Sequence, residues 1–104
     1  MLEVIESTGL NKYRRYQGKH AHTGKEIVIG IIDNGINDEF DTFLDVNIEH
    51  HSFFEEKKAQ VTHGTLMANI LVNQFLDDNN NIIGIAPQAS LIDFDISNCD
   101  LLLQ

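Results

Sequence analysis

Leu10, Tyr13 and Gln17 fall on one side of Leu10-Asn11-Lys12-Tyr13-Arg14-Arg15-Tyr16-Gln17 at helical spacing, which predicts a short amphipathic helix. His22-Thr23-Gly24-Lys25 then signals a turn. Glu26-Ile27-Val28-Ile29-Gly30-Ile31-Ile32 is β-branched and apolar on both faces. That is the pattern of a strand covered on both sides, as in parallel α/β sheets. It stops at the turn signal Asp33-Asn34-Gly35. Residues 37–43 read as an acidic loop carrying Phe40 and Phe43. Val46-Asn47-Ile48-Glu49 predicts a second short strand, running toward Phe54 and the solvated charge run Glu55-Glu56-Lys57-Lys58. Thr62 suits an N-cap. Beyond it Leu66, Met67, Ile70, Leu71 and Phe75 trace one face of a helix reaching about Leu76. The polar loop Asp77-Asp78-Asn79-Asn80-Asn81 ends that helix, and Ile82-Ile83-Gly84-Ile85-Ala86-Pro87 is an apolar connector. Leu91-Ile92-Asp93-Phe94-Asp95-Ile96 alternates. It reads as an edge strand with Ile92, Phe94 and Ile96 inward and Asp93 and Asp95 on the wet face. Strand, strand, helix, strand in this order predicts part of a parallel α/β sheet.

Length and charge narrow the function classes. The 104 residues are one small domain at most. Asp+Glu number 16 against 7 Lys+Arg, a net charge of −9, which argues against nucleic acid and against an anionic membrane surface. Hydrophobic residues make up 42% of the chain, enough to build a core. No apolar run approaches the roughly 20 residues of a membrane span. Met1-Leu2-Glu3-Val4-Ile5-Glu6 has no basic n-region. No signal peptide is visible, and a cytoplasmic location is the expectation. The single cysteine, Cys99, excludes an internal disulfide and a multi-cysteine zinc site. Nothing around it would lower a thiol pKa, so it reads as a bystander.

The chemistry-bearing residues gather in three segments. Ile29-Gly30-Ile31-Ile32-Asp33-Asn34-Gly35-Ile36-Asn37 puts a carboxylate at the C-terminal end of a buried strand, where α/β folds place their sites. Thr62-His63-Gly64-Thr65-Leu66-Met67-Ala68-Asn69-Ile70-Leu71 puts an imidazole in the first turn of a helix. Ile83-Gly84-Ile85-Ala86-Pro87-Gln88-Ala89-Ser90-Leu91 feeds the last strand. An acid that orients an imidazole, which serves as general base, is two-thirds of a nucleophilic triad. Taken singly, Asp33 is a turn-forming residue and His63 a helix-start histidine; their register reverses both readings. His50 and His51 lack the carboxylate or cysteine spacing of a metal site and read as exposed surface histidines.

These segments resemble the subtilisin-like serine peptidases, the subtilases. The family's aspartate segment is an apolar strand followed by Asp-Thr/Ser-Gly-Ile. Its histidine segment is His-Gly-Thr-His-Val-Ala-Gly-Ile, and its next landmark is Gly-Val-Ala-Pro before a strand. All three occur here in family order, with about thirty residues between Asp33 and His63. The resemblance covers Gly24 to Ser97 and leaves 1–23 as an N-terminal extension. It implies a partial subtilisin-like three-layer α/β fold with a mostly parallel sheet, the N-terminal half of a catalytic domain. It also implies that Asp33 is the triad aspartate and His63 the triad histidine. Gly64-Thr65-Leu66-Met67-Ala68 is also similar to the family's nucleophile segment, but His63, Asp33 and the Gly84-to-Pro87 connector all fit the histidine register. The departures are specific. Leu66 stands at the family's second histidine, Asn69 at a glycine, and Asn34 at the Thr or Ser after the aspartate. Phe40 and Asp41 replace His-Pro, and Thr42 replaces an aspartate that often binds calcium. The loop 77–81 binds calcium in many subtilases. Here Asp78 is a weak calcium candidate, a solvated loop is the preferred reading, and no other cofactor is expected. Ser7, Ser52, Ser90 and Ser97 match no nucleophile motif.

The expected function follows from what is present and what is missing. The acid and base imply one subunit or fragment of a serine endopeptidase. A separate chain or a missing C-terminal part would bring the nucleophilic Ser and the oxyanion Asn, and the substrate would be a peptide or protein. The alternative is an inactive half-subtilase that binds a peptide or partner; a truncated gene or expression product is the third reading. Three strands and one long helix cannot cover the run Ile27 to Ile32 on every side. The chain is therefore expected to dimerise, aggregate or be captured by a Ser-bearing half.

Overall fold

The computed structural model describes residues 7–52 and 60–97. In chain order their elements are helix α1 (Leu10–Gln17), strand β1 (Val28–Asp33), strand β2 (Ile48–Ser52), helix α2 (His63–Val72) and strand β3 (Ser90–Asp95). Short 3-10 turns lie at Gly18–His20 and Asp41–Phe43. The strands form one parallel sheet in the order β1-β3-β2. Ile31 stands beside Asp93, and Asp93 in turn beside His50. The architecture is α/β, as expected, but the last strand in sequence is the central one.

One face of the sheet carries the core. Ile31 and Leu91 are buried there with Ala68 and Val72 of α2, and Ile36, Phe43 and Ala89 complete the cluster. Ile29, Val46, Ile48, Leu71 and Ala86 pack around it. The stretch 37–43 is therefore more than a loop, since its 3-10 turn inserts Phe43 into the core. Thr62 caps α2 as expected, its hydroxyl oxygen accepting the Thr65 amide at 3.0 Å.

Two expectations about this layer are corrected. The helix ends at Val72 rather than near Leu76. Its last carbonyls are taken by the connector, with the Ile85 amide on Ile70 and the Ala86 amide on Leu71. Gly84 makes that approach possible: a Cβ there would lie 2.6 Å from the Asn73 nitrogen and 2.8 Å from the Val72 carbonyl carbon. Asn73 turns the chain aside, and its side chain accepts the Phe75 amide. The second correction concerns β3. Asp93 and Asp95 are buried at 3% and 9% exposure, while Phe94 and Ile96 are exposed. The inward face is the reverse of the one predicted. On the central strand both carboxylates are supplied with polar partners, and among the described residues no layer covers the opposite face. Val28 and Ile32 of β1 stand open on that same face.

α1 is tied to the rest through side chains. The Arg14 guanidinium donates to the carbonyls of Ile82 and Gly84, both at 2.6 Å. The Tyr13 hydroxyl accepts the His22 amide at 2.9 Å. No helix among the described residues is long and apolar enough to cross a membrane.

Candidate active site

Asp33 is the last residue of β1 and His63 the first of α2. The strand delivers the carboxylate at its C-terminal end, and the capped helix start delivers the ring beside it. The His63 Nδ1–H donates to Asp33 Oδ2 at 2.6 Å, a charge-assisted distance. Asp33 Oδ1 accepts the Asn34 amide at 2.7 Å. Burial pushes the Asp33 carboxyl up, but the hydrogen bond from His63, the Asn34 amide and the positive charge on His63 together hold it below the usual value. Asp33 is largely covered, with its side chain 21% exposed; the His63 ring is 64% exposed. The structure thus joins the two residues picked out as acid and base and leaves the ring open on one side.

The loop after Asp33 is the seat of α2. Asn34 Oδ1 accepts the Gly64 amide at 2.9 Å. The Thr62 hydroxyl donates to the Gly35 carbonyl, and the Asn37 amide donates to Thr65 Oγ1 at 2.8 Å. A Cβ on Gly64 would overlap the Gly35 carbonyl oxygen and reach its carbon at 3.1 Å. Glycine is required here by the closeness of strand loop and helix. Asn34, a departure from the family pattern, is therefore a structural bond of the site, with its side chain holding the residue after His63.

Sequence reasoning missed a second cluster beside this loop. Asp93 Oδ2 accepts the Ile36 amide at 3.0 Å and contacts His50 Nδ1 at 2.7 Å. His50 Nε2 contacts Asp38 Oδ2 at 2.7 Å. His50 is half-exposed as expected but is not a free surface residue. His51, on the opposite face of the sheet, stacks on Phe94 with ring centres 5.7 Å apart. The usable signal was a histidine pair in one strand and an aspartate in the middle of an apolar strand, and without the strand order nothing paired them.

The calcium candidate Asp78 belongs to the loop 77–81. Asp77 turns its carboxylate onto the loop's own Asn79 and Asn81 amides, and Asp78 lies exposed in the turn. Among the described residues, no group of three or more His, Cys, Asp or Glu side chains is placed to hold a metal. Ser97 is engaged with Asp95, its hydroxyl donating at 2.6 Å. Cys99 lies outside the described residues, as do the charge run 55–58 and the apolar stretch 101–103.

Comparison with known proteins identifies the family and the fold. The family model described as "Subtilase family", Peptidase_S8, matches residues 24–102. Among solved structures, the prenylagaramide maturation protease PagA shares the fold at a TM-score of 0.53 and 20% sequence identity. The match covers 83% of this chain and 27% of that one. The chain therefore spans about a quarter of the length of the structure it resembles. No curated protein matches it.

Proposed function

Because the chain belongs to the subtilase family, we propose that it supplies the acid–base pair of a serine endopeptidase, His63 as general base and Asp33 as its orienting acid. The observation that carries this reading is the 2.6 Å bond between His63 Nδ1 and Asp33 Oδ2. With Nδ1–H committed to the carboxylate, the lone pair of the neutral ring is on Nε2, and the ring is open to receive a hydroxyl. Nε2 takes the serine proton as the hydroxyl oxygen attacks the peptide carbonyl. It then returns the proton to the leaving amine, while Asp33 stabilises the imidazolium between the two transfers.

The nucleophile and the oxyanion donors come from the part of the subtilase domain that these 104 residues do not contain, on a second chain or further along the same one. A surface suited to receive it is present. Val28, Ile32, Phe94 and Ile96 leave the second sheet face apolar and open, and a sheet face meant for water would be polar. The test is a fluorophosphonate probe on a mixture of this chain with a Ser-bearing subtilase segment. Labelling of that segment's serine is expected with the wild-type chain and not with His63→Ala. Labelling that ignores the His63→Ala substitution overturns the reading.

A second reading, a half-domain that binds a peptide or partner without cleaving it, is favoured by Leu66, which replaces the family's second histidine and is half-exposed one helical turn from His63. Complex formation without any labelling is its expected outcome.

A further inference from the structure

The His50 ring sits between two carboxylates, with each ring nitrogen 2.7 Å from an oxygen. A neutral imidazole has one N–H and one lone pair, so it can satisfy only one of them; the other contact would set lone pair against lone pair. Both contacts become attractive when the ring is an imidazolium donating from both nitrogens. The inner carboxylate, Asp93, is 3% exposed. Its Oδ1 has no hydrogen-bond partner, so Oδ2 alone carries the Ile36 amide and the His50 ring. A buried carboxylate in that condition depends on its one cation.

Ile36 belongs to the loop on which α2 rests. The same loop holds the Gly64 amide through Asn34, the Thr62 hydroxyl through Gly35 and Thr65 through the Asn37 amide. We propose that Asp38, His50 and Asp93 form a positioning device for the Asp33–His63 pair, one that holds the loop in place only while His50 carries its proton. When His50 loses the proton, the ring keeps one N–H for one of its two carboxylates. Asp93 is then left buried without a cation and is drawn away from the Ile36 amide toward solvent. That change loosens the seat of the helix that presents His63. The proposal rests on reading Asp33 and His63 as the acid–base pair.

The surrounding charges support a protonated ring. Burial lowers the basicity of His50, but the bonds to Asp38 and Asp93 and their negative charges more than offset this, so its proton is held to higher pH than usual. On the same sheet face Asp95 lies further along β3, and Asp33 lies across it on β1. On the opposite face are Glu49 and His51, themselves 3.5 Å apart. Glu39 follows Asp38 in the loop. Among the described residues these neighbours are acidic apart from His51 and His63. Protonated His50 stabilises the fold. The contribution is complete below the ordinary histidine value of about 6.5 and is lost as pH rises through the raised folded value.

Nitrogen-detected NMR of the 104-residue chain tests this without any protease activity. The Ile36 and Gly64 amide signals are expected to inflect together at the pH where the His50 ring titrates. Asp38→Asn removes an exposed carboxylate, and it should move all three midpoints to lower pH in step. In His50→Gln the shared inflection should vanish. In His63→Ala it should persist, which assigns it to His50. Should His50→Gln fail to fold, Asp38→Asn carries the same test. Amide signals of Ile36 and Gly64 that ignore the His50 titration, or that stay put in Asp38→Asn, overturn the proposal. Those outcomes are independent of whether a serine-bearing partner exists, so this inference and the proposed function fail separately.

Discussion

Ile31 and Ile32 are neighbours in one strand with opposite fates. Ile31 is 8% exposed against α2, whereas Ile32 is 70% exposed on the uncovered face. Each Ile→Ala change removes three carbons. At about 0.8 kcal/mol per buried methylene, Ile31→Ala loses about 2 kcal/mol of transfer energy. A cavity against Ala68, Val72 and Leu91 adds to that, for a total of about 3 kcal/mol. Ile32→Ala loses less than a third of the transfer energy and opens no cavity, so it should cost about 0.5 kcal/mol. The difference corresponds to roughly 10–20 °C in Tm for a domain of this size.

Urea unfolding followed by circular dichroism, at a concentration where sedimentation shows a monomer, measures both costs. Equal costs would mean that the Ile32 face is covered in the monomer, against the architecture described above. A cost for Ile32→Ala that grows beyond its monomer value as protein concentration rises would identify self-association through that face. This outcome is expected from its apolar character, since a net charge of −9 opposes association without covering the surface.

The isolated 104-residue chain should take up no fluorophosphonate label, because an acid and a base without nucleophile and oxyanion donors cannot form the covalent adduct; a labelled band would contradict this. In a reconstituted protease, His63→Ala should lower kcat by several orders of magnitude, and Asp33→Asn should lower it heavily by favouring the wrong tautomer, both read by peptide hydrolysis. The Asp33 carboxyl should titrate below the usual range and move up in His63→Ala, followed by carboxyl-carbon NMR. Its contribution to stability is present above the ordinary value of about 3.8 and is lost as pH falls through the lowered folded value. Gly64→Ala should cost about 2–4 kcal/mol, because its Cβ displaces the Gly35 carbonyl and with it the Thr62 and Asn34 bonds; a thermal melt unchanged within 2 °C would refute that packing.

The pairing of Asp33 with His63 was legible in the sequence because its parts are local signals. A strand that ends at Asp33 and a capped helix that starts at His63 each announce themselves over a few residues. The pairing of His50 with Asp93 was not legible, because it depends on strand order. Sequence order would place β3 at the edge, and an edge strand has a wet face on which aspartates are unremarkable. With β3 in the middle, Asp93 meets β2 on one side and the loop after β1 on the other. The early stop of α2 was hidden for a similar reason. Apolar periodicity runs on to Phe75, and only the arrival of Gly84 against Val72 and Asn73 ends the helix.

The reversed face of β3 bears on what the chain is built for. Alternation alone sent Ile92, Phe94 and Ile96 inward and the aspartates outward, the rule for a sheet with one wet face. The strand instead buries its carboxylates among polar partners and leaves Phe94 and Ile96 in the open beside Ile32. Both faces are thus written as interior, one furnished with paired polar groups and the other with bare side chains. The continuous apolar run of β1 carries the same message, for Val28 and Ile32 have no use on a face that stays in water. Of the two covering layers that the strand's sequence predicts, the described residues supply one. The site at the strand ends follows the same division, with the Asp33 carboxylate largely covered and the ring of His63 left open.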